Sequence, residues 1–85
     1  MKANSCTVRV LKRDSHGEYT PCEHVTVAGK IGGFVGEFTQ STRTDSCGEA
    51  EIEWHSDNDL AIIWANKERF DGNFRSGELY ILRID

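Results

Sequence analysis

The feature that most constrains the fold is a strict alternation of apolar and acidic residues near the middle of the chain. The alternation comprises three apolar and three acidic residues, Ala50, Ile52, Trp54 and Glu49, Glu51, Glu53. A period of two places all the apolar side chains on one face only if the backbone is extended. The segment 48–55 is therefore predicted to be a β-strand with one buried face and one solvated face.

Weaker patterns of the same kind predict further strands on both sides of this one. Their predicted bounds are 7–13, 19–28, 34–40, 60–65 and 78–84. Polar or glycine-containing turns separate them, and 70–77 is predicted to be a loop. Short strands joined by turns predict an all-β fold, an antiparallel β-sandwich of six to seven short strands that forms a single domain over residues 1–85. The expected core contains Val8, Val10, Val25, Val27, Phe38, Ala50, Ile52, Trp54, Ile62, Trp64 and two or three apolar residues of the last strand.

The segment 60–65 also fits a second interpretation. Leu60, Ile63 and Trp64 sit at helical spacing, and Ser56 precedes them as a candidate N-cap. An α+β fold with one helix near residues 57–70 is thus the alternative. The strand is favoured because Ile62, Ile63 and Trp64 are β-branched or aromatic.

Composition and charge argue against several classes of function. The chain has 85 residues, a net charge of −4 and a pI near 5.3, whereas nucleic-acid binding depends on cationic contacts to phosphate. Arg9, Lys12 and Arg13 cluster, but Asp14 follows at once. No run approaches the ~20 apolar residues of a membrane span, and the N-terminus lacks the apolar core of a signal peptide. We predict no nucleic-acid or membrane partner, no enzymatic activity, and a cytoplasmic location or an excised domain of a secreted protein.

The cysteines and histidines suggest an alternative function. Cys22 and His24 lie two residues apart on a predicted strand and so would share a face. Together with Cys6, Cys47 or His55 they would form a small metal- or thiol-dependent site. The close Cys or His pairs typical of structural zinc do not occur, so no metal or cofactor is predicted. The three cysteines are predicted to be reduced thiols, and the alternative is one disulfide with one free thiol.

The central turn carries a family resemblance. Thr44-Asp45-Ser46-Cys47-Gly48-Glu49-Ala50 followed by Ile52 resembles the turn between two strands of carboxypeptidase-regulatory-like and transthyretin-like β-sandwich domains. The resemblance implies an accessory or interaction module without catalysis. The enzymatic branch of the transthyretin-like group ends in Tyr-Arg-Gly-Ser and uses histidines near its first strand. This chain ends in Leu82-Arg83-Ile84-Asp85 and has no histidine there, so that activity is not expected.

Two surfaces are therefore predicted to bind a protein partner or a neighbouring domain. The first is the loop that carries Arg69, Phe70, Phe74 and Arg75, because aromatic and arginine side chains form most binding hot spots. In the competing interpretation, both phenylalanines cap the core. The second surface is the row of carboxylates formed by Glu49, Glu51 and Glu53, which would attract a basic partner. A homodimer through a sheet edge is a further hypothesis.

Overall fold

A computed structural model describes residues 2–34 and 36–85, and those residues form eight strands and no helix. The strands are β1 (Ala3–Arg13), β2 (Tyr19–Pro21), β3 (Thr26–Ile31), β4 (Thr42–Arg43), β5 (Glu49–His55), β6 (Leu60–Ala65), β7 (Glu68–Phe74) and β8 (Leu79–Ile84). The all-β prediction is confirmed. The alternative helix near residues 57–70 is wrong, because β6 and β7 occupy that range. Across the two described ranges, no helix is long and apolar enough to cross a membrane.

The strands form two four-stranded sheets that pack face to face. In the first sheet β1 is central, with β8 parallel to it along one edge. The other edge of β1 pairs antiparallel with two strands, one after the other along its length. Residues 3–9 of β1 pair with β5, and residues 11–13 pair with the short β2. The second sheet has the antiparallel order β4-β3-β6-β7. The predicted antiparallel sandwich is confirmed, with eight strands in place of six or seven and with one parallel pair.

The core lies between the sheets and is built from the buried face of each alternating strand. Its buried members are Cys6, Val8, Val10, Val25, Val27, Ile31, Ala50, Ile52, Trp54, Leu60, Ile63, Ala65, Phe74, Leu82 and Ile84. Most of the predicted core is among them, including the apolar residues of β5 and two residues of β8. Burial of this apolar surface is the main force that holds the two sheets together.

Two aromatic residues predicted for the core lie outside it. Phe38 is 67% exposed, and its ring packs against Trp64 with 5.6 Å between centroids. Trp64 leaves the core because β6 is irregular, with a shift of its register with β7 between Leu60 and Ile62. The shift changes the phase of the alternation, so that Ile63 enters the core cluster, while Ile62 is buried as predicted, at 7% exposed.

The predicted strand over 19–28 is two strands in different sheets. β2 belongs to the first sheet and β3 to the second, and the connection between them contains His24 with φ +64°. A left-handed backbone at His24 interrupts the extended chain and lets it cross to the other sheet. The predicted strand over 34–40 is also wrong: its described part forms a single bridge from Phe38 to Lys30, and Val35 lies outside the described residues.

Two turns in the chain are built in the same way. The side-chain oxygen Oδ1 of Asp14, and likewise that of Asp45, accepts hydrogen bonds from the backbone N–H groups two and four residues further on, at 2.8–3.0 Å. Each turn ends in a glycine with positive φ, Gly17 at +83° and Gly48 at +75°. The Asp-x-x-Gly pattern is therefore a local rule for the turn, and it applies both at 14–17 and within the central motif.

Candidate functional site

The structure places most of the predicted 69–75 loop on a strand. The segment Glu68–Phe74 is β7, an edge strand of the second sheet. Phe74 is only 7% exposed and belongs to the core, where its ring meets that of Tyr80 edge-on at 5.0 Å. Phe70 is partly buried and also packs against the core. The loop predicted over 70–77 is wrong for 70–74, which belong to β7, and right for 75–77, which form a turn. The alternative interpretation, in which both phenylalanines cover the core, describes their positions.

The two arginines of that segment have separate environments. The guanidinium of Arg69 donates to the carboxylate of Asp71 on the same strand at 2.9–3.0 Å. Arg75 follows β7, and its backbone N–H donates to the Tyr80 hydroxyl at 2.6 Å. The two arginines are exposed, whereas Phe74 is buried and Phe70 is partly buried. Partner binding through this segment stays a prediction.

The acidic row on β5 lies on the outer face of the first sheet, as the alternation predicts. Glu49 is half-buried, and its carboxylate accepts two hydrogen bonds from the guanidinium of Arg9, from Nε at 3.0 Å and from Nη2. Glu51 and Glu53 are exposed. Within residues 2–34 and 36–85, neither of them forms an ion pair. The row is therefore divided into one neutralised carboxylate and two that retain their charge.

The two remaining carboxyl groups interact with each other. A side-chain hydrogen bond with Glu53, together with partial desolvation and the negative charge of Glu53, raises the pKa of Glu51 above its ordinary value. Two carboxylates this close repel each other, and either a shared proton or a nearby cation relieves the repulsion. The pair is therefore a place where a positive charge is favoured.

An open cleft of about 640 Å³ lies beside this pair, between β5 and the segment 37–42. Its lining residues are Ile31, Glu37, Phe38, Thr39, Gln40, Ser41, Thr42, Glu51, Glu53, Trp54 and His55. Glu37 adds a third carboxylate from the opposite side, and it too forms no ion pair in the described part of the chain. We call this feature the acidic cleft, defined by Glu37, Glu51 and Glu53.

Only one side of the acidic cleft was predictable from the sequence. Glu51 and Glu53 were marked by the alternation of β5, whereas Glu37 lies in the predicted strand 34–40, and nothing in the sequence placed that stretch beside β5. The second sheet brings this stretch to β5 through the N–H of Ile31, which donates to the carbonyl of Glu37 at 2.7 Å, and the N–H of Thr39, which donates to the carbonyl of Gly29 at 2.9 Å. Such contacts depend on the fold, and no local signal predicts them.

The residues of the alternative metal or thiol site are arranged differently from the prediction. Cys22 and His24 lie in the connection after β2 and not on a strand, and the imidazole of His24 lies 3.4 Å from the carboxylate of Glu23. Cys6 is buried in the core, where burial and then the charge of Glu51 raise its pKa to about 11. In the described residues, no three His, Cys, Asp or Glu side chains form a group that could hold a metal ion.

The fold is similar to part of a larger protein of known structure. The crystal structure of a 9R-lipoxygenase from Cyanothece PCC8801 matches 96% of this chain with a TM-score of 0.67 and 13% sequence identity. The chain spans 16% of that protein's length. At this identity the likeness shows the β-sandwich fold alone. Neither the protein-family models nor the curated proteins gave a match, so the transthyretin-like resemblance stays a prediction.

Proposed function

We propose that this chain is a non-catalytic interaction module that binds a basic segment of a protein partner or of a neighbouring domain at the acidic cleft. The observation that carries the proposal is the position of Glu51 and Glu53, which both line the cleft from β5 and form no ion pair with any described residue. Arg9 neutralises Glu49 in the same row. The negative charge of Glu51 and Glu53 is therefore available to bind a basic partner.

The electrostatics also define the kind of binding to expect. Exposed ion pairs are individually weak and are screened by salt. Three carboxylates around one cleft would therefore give modest affinity, fast association with cationic partners and strong dependence on ionic strength. A small sandwich whose apolar residues are mostly used in the core fits an accessory role of this kind better than an enzyme with a deep substrate cavity.

The alternative function, a metal- or thiol-dependent site at Cys22, His24 and another cysteine, has less support. Its two central residues lie in the connection between the sheets, and Cys6 is a core residue whose raised pKa disfavours the reactive thiolate. The acidic cleft is therefore the surface to test first.

The proposal is tested by measuring the binding of a capped hexalysine peptide by calorimetry at low and at high salt. We expect the double variant Glu51→Gln/Glu53→Gln to lower the affinity by about tenfold at low salt. The matched control is Glu18→Gln/Glu78→Gln, which removes the same charge from exposed positions elsewhere and should change the affinity by less than about twofold. Equal losses in the two double variants, or no binding to the parent chain, would contradict the proposal.

A further inference from the structure

We propose that the partner segment enters the acidic cleft as an extended strand, that it pairs antiparallel with the outer edge of β5, and that it carries basic and apolar residues in alternation. This inference rests on the proposed function and adds the conformation and the sequence pattern of the partner. It depends on the backbone of β5 as well as on its carboxylates.

Half of the backbone groups of β5 are already hydrogen-bonded to β1. Within the described residues β5 pairs only with β1, so no strand forms backbone hydrogen bonds with its second edge. Hydrogen bonds at the two ends of this pairing fix its pattern, since Val10 N–H donates to the Gly48 carbonyl at 2.7 Å and Ser56 N–H donates to the Lys2 carbonyl at 3.0 Å. In an antiparallel pair, residues that exchange hydrogen bonds alternate with residues that do not. The even-numbered residues of β5 are therefore the ones bonded to β1.

It follows that Glu51 and Glu53 direct their backbone N–H and C=O groups away from β1. Glu49, the preceding residue of the same phase, confirms the direction. Its N–H donates to the Asp45 carboxylate at 3.0 Å and its carbonyl accepts from the Asp45 N–H at 2.8 Å. The Asp45 turn thus occupies the start of this edge, and the edge is open from Glu51 onward.

The same two residues present both their backbone groups and their carboxylates to a partner. In an antiparallel pair, directly opposed side chains lie on one face with Cβ atoms about 4.5–5.5 Å apart. A lysine or arginine paired with Glu51 or Glu53 would thus meet a carboxylate while its backbone bonds the same residue. The residue between two such cations projects to the other face, where Ile31 and Trp54 line the cleft. The favoured pattern is basic–apolar–basic.

The length of the site follows from the same geometry. The cleft follows β5 from Glu51 to His55, and five residues at about 3.3 Å each span about 16 Å. A segment of five or so residues fills that length. Thr39, Gln40 and Ser41 line the opposite side and offer polar groups to the outer edge of the added strand. Antiparallel pairing is expected because antiparallel pairs outnumber parallel ones by about two- to threefold, and recognition by an added strand is a common mode of peptide binding.

Four capped peptides of equal charge and side-chain composition test this inference. The first has the core Lys-Val-Lys-Val-Lys, and the second has the isomeric core Lys-Lys-Lys-Val-Val. The third and fourth are N-methylated forms of the first, one on its lysines and one on its valines. We expect the alternating peptide to bind at least about fivefold more tightly than its isomer. Methylation of the lysines should remove that advantage, whereas methylation of the valines should retain it, because only the lysine N–H groups face β5.

The outcomes separate this inference from the proposed function. If the alternating peptide and its isomer bind equally, and both weaken in Glu51→Gln/Glu53→Gln, then strand pairing is overturned and the acidic cleft remains a charge-based binding surface. If methylation of the valines is the harmful change, the antiparallel register is overturned. If no cationic peptide binds to the parent chain, the proposed function fails and this inference fails with it.

Discussion

Substitution of Thr44 by valine should lower the free energy of unfolding by more than its small change in shape suggests. Thr44 is 3% exposed, and its hydroxyl accepts a hydrogen bond from the N–H of Val25 at 2.9 Å and donates one to the carbonyl of Cys22 at 2.7 Å. These bonds hold the connection between β2 and β3 against the start of the central turn. Valine has nearly the same volume, so the substitution removes the bonds without leaving a cavity.

The expected loss of stability follows from the two backbone groups that the substitution leaves without a hydrogen bond. The N–H of Val25 lies in a buried position, and a buried donor without a partner costs about 1–3 kcal/mol. The carbonyl of Cys22 is part-buried and can turn to water, so its bond accounts for about 1 kcal/mol. A total loss of about 2–4 kcal/mol in the free energy of unfolding is expected, which for a domain of this size lowers Tm by about 10–25 °C.

Urea denaturation followed by tryptophan fluorescence measures this loss, and Thr44→Ser is the matched control. Serine retains the hydroxyl and loses only a buried methyl group, which costs about 1 kcal/mol. The expected order of stability is the parent chain, then Thr44→Ser, then Thr44→Val, with an unchanged dependence on urea. If Thr44→Val were as stable as Thr44→Ser or more stable, the hydrogen bonds would not be the reason that threonine is needed here.

Three further predictions concern packing, backbone and titration. Phe74→Ala should lower the free energy of unfolding by about 3–5 kcal/mol, and Phe70→Ala should lower it clearly less, because, of the two, only Phe74 is buried in the core. Equal losses for the two variants in urea denaturation would contradict this prediction. Gly48→Ala should lose at least about 1 kcal/mol more than Gly77→Ala, since both have positive φ but only at Gly48 would the new Cβ lie 2.8 Å from a backbone oxygen of β1. The pKa of Cys6 is raised from 9.0 to about 11, so the folded chain holds this proton more tightly than the unfolded chain does. The stability that is present below pH 9 should decline as the pH rises toward 11, and a Cys6→Ala variant that showed the same decline would exclude Cys6 as its cause.

The parts of the fold that the sequence predicts are those fixed by local alternation. β5 and the inward residues of β8 follow their patterns because each strand has one buried face and a regular register. β6 does not follow its pattern, because a register shift is set by pairing with β7 and leaves no mark in its own apolar run. The position of Trp64 was mispredicted for that reason, whereas Ile62 is buried as predicted.

β7 was missed because of its turn and its position in the sheet. The hairpin before it uses Asn66 at φ +50° and Lys67 at φ +70°, and lysine is not a usual signal for a turn that requires positive φ at both residues. Asp71-Gly72-Asn73 is typical of a loop, yet an edge strand tolerates such residues because one side of it needs no partner. In the same way, half of the acidic cleft was predictable from β5, whereas Glu37 depends on contacts between distant segments.

The parallel pairing of β1 with β8 also determines how the sandwich would respond to a pulling force. Six consecutive residue pairs, from Thr7 with Leu79 to Lys12 with Ile84, place the two strands side by side in the same direction. Tension applied ahead of β1 and beyond β8 would draw the strands past each other along their common axis. In that shear geometry the hydrogen bonds between them carry the load together and do not open one after another. The β1–β8 pair is therefore where the sandwich would offer its greatest resistance to a force that pulls its two ends apart.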